Sequence, residues 1–482
     1  MYENFYNGQT STSYGKFIWK WGINMAKSVW TDTTKLPEFG MLRGTAKTDV
    51  LIIGGGLCGI LCAYFLKNAG VDYILVEGEA IASGTTKNTT AKITSQHGLI
   101  YDRLIKSKGK ELAALYLEAN QAAVERYREI AGKTVCGFEE KSAFVYSRQD
   151  REKIEAEVRA VNDLGFPAEF SVDLSLPFET VGAVRFPNQA QFHPLHFIAK
   201  IAKDLNIYEH TFVRKVEGHT AWAETAAPME KADGTESAAQ VENAAQPETT
   251  QITADKIIVT THFPFLNKRG SYFLKLYQHR SYVIALEHAA DVEGMYIDEA
   301  VGGFSFRNTG NLMLLGGGSH RTGHLGGNWQ ELRTFAAEHY PQSEERYCWA
   351  TQDCMSLDGV PYIGHYSKNT PNLYVASGFN KWGMTSSMVA AMLLCDMVQE
   401  RENAWSQVFS PSRSMMTRQL LINGLTAAGG LLTPSFKRCP HMGCALKWNA
   451  LEHTWDCSCH GSRFEKDGTL VDNPAKRGAN VE

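Results

Sequence analysis

The sequence predicts an α/β chain: a Rossmann-like dinucleotide-binding unit, an antiparallel sheet worked into the same body, and a small unit at the C-terminus. Three observations predict it. The glycine run Gly54-Gly55-Gly56-Leu57-Cys58-Gly59 follows an apolar, β-rich stretch and opens a helix. Residues 270–320 carry alternating and aromatic-rich runs, the pattern of antiparallel strands. Cys439, Cys444, Cys457 and Cys459 crowd together with His441 and His460 near the end of the chain.

Composition excludes several classes. The 482 residues are 44% hydrophobic and 21% charged, which is the balance of an ordered globular protein. Net charge is −4, from 48 basic and 52 acidic residues, so there is no global basic field for nucleic acid. Ten cysteines in this length are too sparse for a secreted disulfide scaffold. The uncharged stretch 50–66 has 17 residues and four glycines, short of the roughly 20 apolar residues that span a bilayer, and no stable membrane insertion is expected. The N-terminus has no apolar core followed by a cleavage site, and the chain is read as cytoplasmic.

Residues 1–45 read as an N-terminal extension, with 30–37 the first stretch that resembles ordered structure. Residues 48–53 form a strand, the glycines follow, 60–67 form a helix closed by Asn68-Ala69-Gly70, and 73–76 form a second strand. In this unit Gly54 makes the tight turn, Gly56 lets the backbone approach a pyrophosphate, and Gly59 allows the helix to pack closely on the strand. Glu77, at the end of the second strand, accepts from a ribose hydroxyl. Residues 100–131 and 150–164 read as helices. Residues 221–250 hold nine alanines and six acids without hydrophobic periodicity, and read as a solvated insertion between strands 211–216 and 256–260. The main body then runs over 46–405, a linker over 406–432, and the cysteine-rich domain over 433–482.

Downstream of the fingerprint come Ser83-Gly84-Thr85-Thr86-Lys87-Asn88-Thr89-Thr90-Ala91-Lys92, then Asp358-Gly359-Val360-Pro361-Tyr362-Ile363-Gly364, then Gly378-Phe379-Asn380-Lys381-Trp382-Gly383-Met384. With these stretches, residues 46–400 resemble the FAD-dependent D-amino acid oxidase and glycine oxidase family. The resemblance implies FAD rather than NAD. It assigns Gly54, Gly56, Gly59, Glu77 and Val213 to the ADP half. Thr86, Thr90 and Lys92 go to the pyrophosphate and flavin edge, and Gly378, Gly383 and Met384 to the surroundings of the flavin ring. It also implies an antiparallel-sheet substrate domain interleaved with the Rossmann-like domain.

Cys439-Pro440-His441 and Cys457-Ser458-Cys459-His460 offer two thiolates and two imidazoles, which suit either tetrahedral zinc or a [2Fe-2S] centre with two histidines on one iron. The longer text, Cys439-Pro440-His441-Met442-Gly443-Cys444 and Cys457-Ser458-Cys459-His460-Gly461-Ser462, resembles the two cluster loops of Rieske proteins. That resemblance implies a small all-β domain with Cys439, His441, Cys457 and His460 as ligands and a disulfide between Cys444 and Cys459. Phe464 stands where cytochrome-complex Rieske proteins often have tyrosine, which predicts a lower potential. The chain stops soon after residues 472–475, so the domain is expected to be incomplete or closed by the flavin domain.

Together the two halves predict a flavin-dependent dehydrogenase. It oxidises a C–N bond of an amine or N-substituted amino acid and passes electrons through the Rieske cluster to an external one-electron acceptor; the alternative is a redox sensor or electron-transfer protein without a small substrate. The catalytic candidates are Asp353, His193 and Trp382. Asp353 lies where the family commonly places a carboxylate-binding arginine, and reads either as the attractor of a cationic amine substrate or as an exposed loop residue or helix cap. His193 reads either as a catalytic or as a structural histidine.

Overall fold

The computed structural model describes residues 27–132, 134–225, 248–267 and 269–481. Most of the N-terminal extension and the interior of the alanine-rich insertion lie outside the described residues.

The strand Thr45–Ile53 ends in four buried residues, as a strand covered on both faces requires. It lies between two parallel neighbours, Tyr73–Val76 and Glu248–Val259. The path across this sheet is Tyr362–His365, Leu373–Ser377, Glu248–Val259, Thr45–Ile53, Tyr73–Val76 and Ile207–Tyr208. Helix Leu57–Asn68 leaves the glycine turn and packs against helix Gly383–Val398, both being apolar almost all round. The second sheet is mostly antiparallel: Glu344–Ser356, Leu276–Glu287, Leu312–Arg321, Ser305–Thr309, Met295–Asp298, Glu139–Ser147, Gly182–Gln191 and Lys92–Ile93. Its members come from both sides of the Rossmann-type sheet in sequence, which is the interleaving expected. Residues 446–472 form a third, antiparallel sheet of four short strands.

Three segments differ from the sequence reading. The ends of the alanine-rich insertion are strands: Thr220–Thr225 pairs antiparallel with the start of Glu248–Val259, alternating half-buried and buried residues, with alanine at two of the buried places giving no conspicuous apolar pattern. The stretch read as a linker contains helices Ser406–Phe409 and Arg418–Leu432, the second begun by Thr417, whose hydroxyl accepts from the Leu420 N–H. Part of the N-terminal extension belongs to the body: Trp30 is fully buried and its indole donates to the Thr89 carbonyl at 2.7 Å.

The small C-terminal domain sits on the second sheet through a polar seam. Gln278 donates to the carbonyls of His460 and Asn473, both at 3.0 Å, and Gln352 to that of Gly461 at 2.9 Å. Arg321 donates to the carbonyls of Ser458 and Cys459. A Cβ on Gly461 would lie 2.6 Å from the Gln278 side chain, so the approach needs glycine there. Beside it, Glu452 takes Arg280 from the larger domain and Arg463 from its own, and Arg463 also reaches Asp456 and Asp472. Burial pushes the Glu452 carboxyl up, but the two guanidinium groups outweigh that and hold it at about 2.

Candidate active site and cluster site

The glycine turn is shaped by its own backbone. Gly54 has φ +115°, a left-handed conformation that favours glycine. A Cβ on Gly59 would lie 1.9 Å from the Gly54 carbonyl oxygen, so only glycine lets the helix start this close. The Glu77 carboxylate accepts from the N–H groups of Gly55 at 2.6 Å and Glu79 at 3.0 Å, and Thr86 Oγ1 accepts from the Leu57 N–H at 3.1 Å. Burial raises the Glu77 pKa, against those backbone donors.

From this turn a cavity of about 710 Å³ opens. Its lining includes Gly54, Gly56, Glu77 and Val213, then Thr86, Thr90 and Lys92, and also Gly378, Trp382, Gly383 and Met384. Gly59 is not in the lining; it lies beneath, where the helix meets the turn. The volume and the bare glycine backbone fit an extended dinucleotide such as FAD. Lys92, buried and near Arg307, is pulled down to about 7.

The lining also carries titratable groups. Asp353 is half-buried and not in an exposed loop: it sits in strand Glu344–Ser356 directly across from His279. Burial pushes Asp353 up to about 6, against the charges of Lys381 and Arg280. The Lys381 ammonium donates to Ser319 at 2.5 Å and Ser281 at 3.3 Å, and burial lowers its pKa while Asp353 opposes that. Burial, with the Lys381 charge, pulls His279 down to about 3, so its ring is neutral. Trp382 stacks on His97 at 4.8 Å and 14°. Lys381, His279, Ser281 and Ser319 were missed as candidates; the sequence signal for Lys381 was its place inside the 378–384 stretch.

His193 is a correction. It does not line the cavity: its Nδ1 accepts from the His196 N–H, capping helix Pro194–Ile201, and its Nε2 meets the Thr33 hydroxyl at 2.8 Å. The same residue thus starts a helix and anchors the segment around Thr33.

At the other end of the chain Cys439, Cys444, Cys457 and Cys459 are buried together. The other three thiols donate toward Cys457, which holds it well below the ordinary thiol range. The imidazoles of His441 and His460 lie 4.8 Å apart, centre to centre. His441 Nε2 is engaged by Asn267 Oδ1 at 2.9 Å, and the Nδ1 atoms of both histidines are buried with no hydrogen-bond partner. Two orphaned imidazole nitrogens facing a thiol cluster fit a two-histidine, two-cysteine iron-sulfur centre. The group of three metal-capable atoms lying within 4.8 Å of one another is Cys444, Cys457 and His460, so Cys444 is drawn in beside the expected ligands. Cys444 and Cys459 are neighbours but are free thiols, not the disulfide that the resemblance implies: they hydrogen-bond each other and Cys457.

The cavity and the cluster adjoin. Residues Leu470–Asp472, together with Asn473, Pro474, Ala475 and Lys476 of the small domain, line the cavity. Phe263 is fully buried with its ring edge-on to both His441 and His460, centroids 6.2 and 6.3 Å away, and the preceding His262 lines the cavity. Among the described residues no helix is long and apolar enough to cross a membrane.

Known proteins show the same two parts. Residues 49–397 match the family model "FAD dependent oxidoreductase", and 417–481 match "Rieske [2Fe-2S] domain", which takes in helix Arg418–Leu432. YhfW of Bacillus subtilis (strain 168), described as a Rieske 2Fe-2S iron-sulfur protein, is 34% identical over 508 residues, covering 93% of this chain and 96% of its own. Glycine oxidase from Geobacillus kaustophilus superposes with a TM-score of 0.60 at 18% identity, over 77% of this chain and 100% of that one. L-amino acid deaminase from Proteus vulgaris gives 0.59 at 14%, over 79% and 100%. The chain belongs to the FAD-dependent oxidoreductase family, with a flavin domain that binds FAD and a C-terminal Rieske domain that binds a [2Fe-2S] cluster.

Proposed function

We propose that this protein is a dehydrogenase that oxidises the C–N bond of an N-substituted amino acid or related amine and delivers the electrons through its Rieske centre to an external one-electron acceptor. One observation carries this reading: a single cavity joins the nucleotide turn, the Asp353 and Lys381 face, and the small domain that holds the cluster site. FAD bound in the cavity supplies a hydride acceptor that can release electrons singly, and the [2Fe-2S] centre carries them one at a time.

The residues of the chain supply the rest. Asp353 near 6 can draw an ammonium group in and take its proton, leaving the neutral amine from which hydride departs. The carbon-nitrogen bond becomes an imine, which water then splits. Lys381 supplies a cation that the sequence reading did not weigh. Anchored by Ser281 and Ser319, it suits a carboxylate, so the face offers one charge of each sign and favours an N-substituted amino acid over a simple amine. His279, kept neutral, adds no competing charge. Trp382 walls the site from its stack on His97.

The test is anaerobic mixing of holoprotein with a panel of amines and N-substituted amino acids, following flavin absorbance and then the EPR signal of frozen samples. Bleaching followed by a Rieske signal is expected; a Rieske signal obtained across the panel only with a chemical reductant would favour the electron-transfer protein. With a responsive substrate, KM should fall as pH rises through about 6, where Asp353 ionises, and Asp353→Asn should abolish that dependence.

A further inference from the structure

Helix Arg418–Leu432 is amphipathic the wrong way round for a helix that packs on its own domain. Leu421, Leu425, Ala428 and Leu432, spaced i, i+4, i+7, i+11, form one stripe, and all four are exposed, the leucines at 64%, 65% and 82%. The side turned inward is polar and small. Asn423 is buried, donating to the Leu274 carbonyl at 3.1 Å and accepting from Arg321 at 3.0 Å. A Cβ on Gly430 would lie 2.5 Å from Cys459 Sγ, and the Thr426 carbonyl accepts from that same thiol. Met416 before the helix and Phe436 after it are also exposed, and so is Met442 in the first cluster loop.

Charge in the sequence that flanks this stripe is of one sign. Residues 403–451 contain no aspartate or glutamate and five lysines or arginines. Arg413 turns inward to Asp358, whereas Arg418 and Lys447 are exposed and Lys437 and Arg438 half-buried. Trp448, beside Lys447, is exposed as well. A protein interface of useful size carries about one hydrogen bond per 100–200 Å². A stripe of leucine and alanine alone, rimmed by cations and aromatics, has the composition of a helix lying in a lipid headgroup region.

We propose that the outer face of helix Arg418–Leu432 docks this protein onto an anionic lipid bilayer, without spanning it. Docked there, the cluster thiols lie one helix thickness, about 10 Å, from the membrane interface. The inference rests on the helix and its rim, not on the proposed reaction.

Flotation of full-length holoprotein with vesicles tests it, comparing phosphatidylcholine containing phosphatidylglycerol with phosphatidylcholine alone. Binding to the anionic vesicles, weakened by salt, is expected. The double variant Leu421→Glu with Leu425→Glu should bind those vesicles at least about tenfold more weakly while keeping its flavin absorbance and Rieske EPR signal. Failure to float with anionic vesicles, or equal flotation of the variant, overturns the proposal. So does a wild-type dimer in light scattering that the double variant loses, since the stripe would then face a second copy.

Discussion

The two faces of the Rieske domain follow opposite rules. Toward the flavin domain it buries charge: Arg280, Glu452 and Arg463 are 5 to 7% exposed. Along helix Arg418–Leu432, whose inner side meets the Cys459 thiol, it exposes leucine. Buried ion pairs add little net stability over apolar packing, but they penalise every wrong docking position by stranding a charge. The seam therefore fixes one register between the domains, whereas the leucine stripe tolerates any partner that removes it from water.

The largest effect that could break this contrast is on the seam. Glu452→Gln strands the buried Arg280 without a carboxylate and leaves Arg463 with only Asp456 and Asp472, and should lower unfolding stability by about 3–5 kcal/mol, read by urea denaturation. Acid should reach the same end without a mutation. Because the folded carboxyl sits at about 2 against an ordinary value of 4.5, its contribution is complete above about pH 4.5 and is lost as pH falls toward 2. Wild type should thus lose stability over that window faster than Glu452→Gln; parallel curves would mean the seam carries no such linkage. Next in size is Gly430→Ala, which pushes the helix off Cys459 and should cost about 1–3 kcal/mol with a change in the line shape of the Rieske EPR signal. Phe464→Tyr adds a donor in the cluster's core and should raise its potential, as redox titration would show. The smallest effect belongs to the outer face: Leu425→Ser should shift stability by no more than about 0.5 kcal/mol in the absence of lipid, and a larger loss would mean the stripe is packed.

What was legible in the sequence divides along physical lines. The nucleotide turn works through backbone within a few residues, so Gly54, Gly56, Gly59 and Glu77 announce it at fixed spacing. The cluster loops are similarly local, although Cys444 and Cys459, adjacent as the spacing suggests, are free thiols. The reactive face was half legible. His279 meets Asp353 only because two strands more than 70 residues apart pair in register, and Lys381 joins them from a third segment. His193 was open to a structural or a catalytic reading, and the Pro194 that follows it is the local signal for the structural one, a helix cap with proline in the first turn. Helix Arg418–Leu432 escaped notice because its Gly429-Gly430 pair resembles a hinge, and because its leucines look outward from the fold rather than into it.

The bond from His441 Nε2 to Asn267, with Gln278 holding the His460 carbonyl, has a kinetic corollary. On the proposed reaction, a Rieske head tied to the flavin domain beside the cluster site has no swing to complete before an electron crosses. Internal transfer would then be a fixed-distance event, indifferent to glycerol or other viscogens, leaving only the arrivals of the substrate and of the outside acceptor for diffusion to slow.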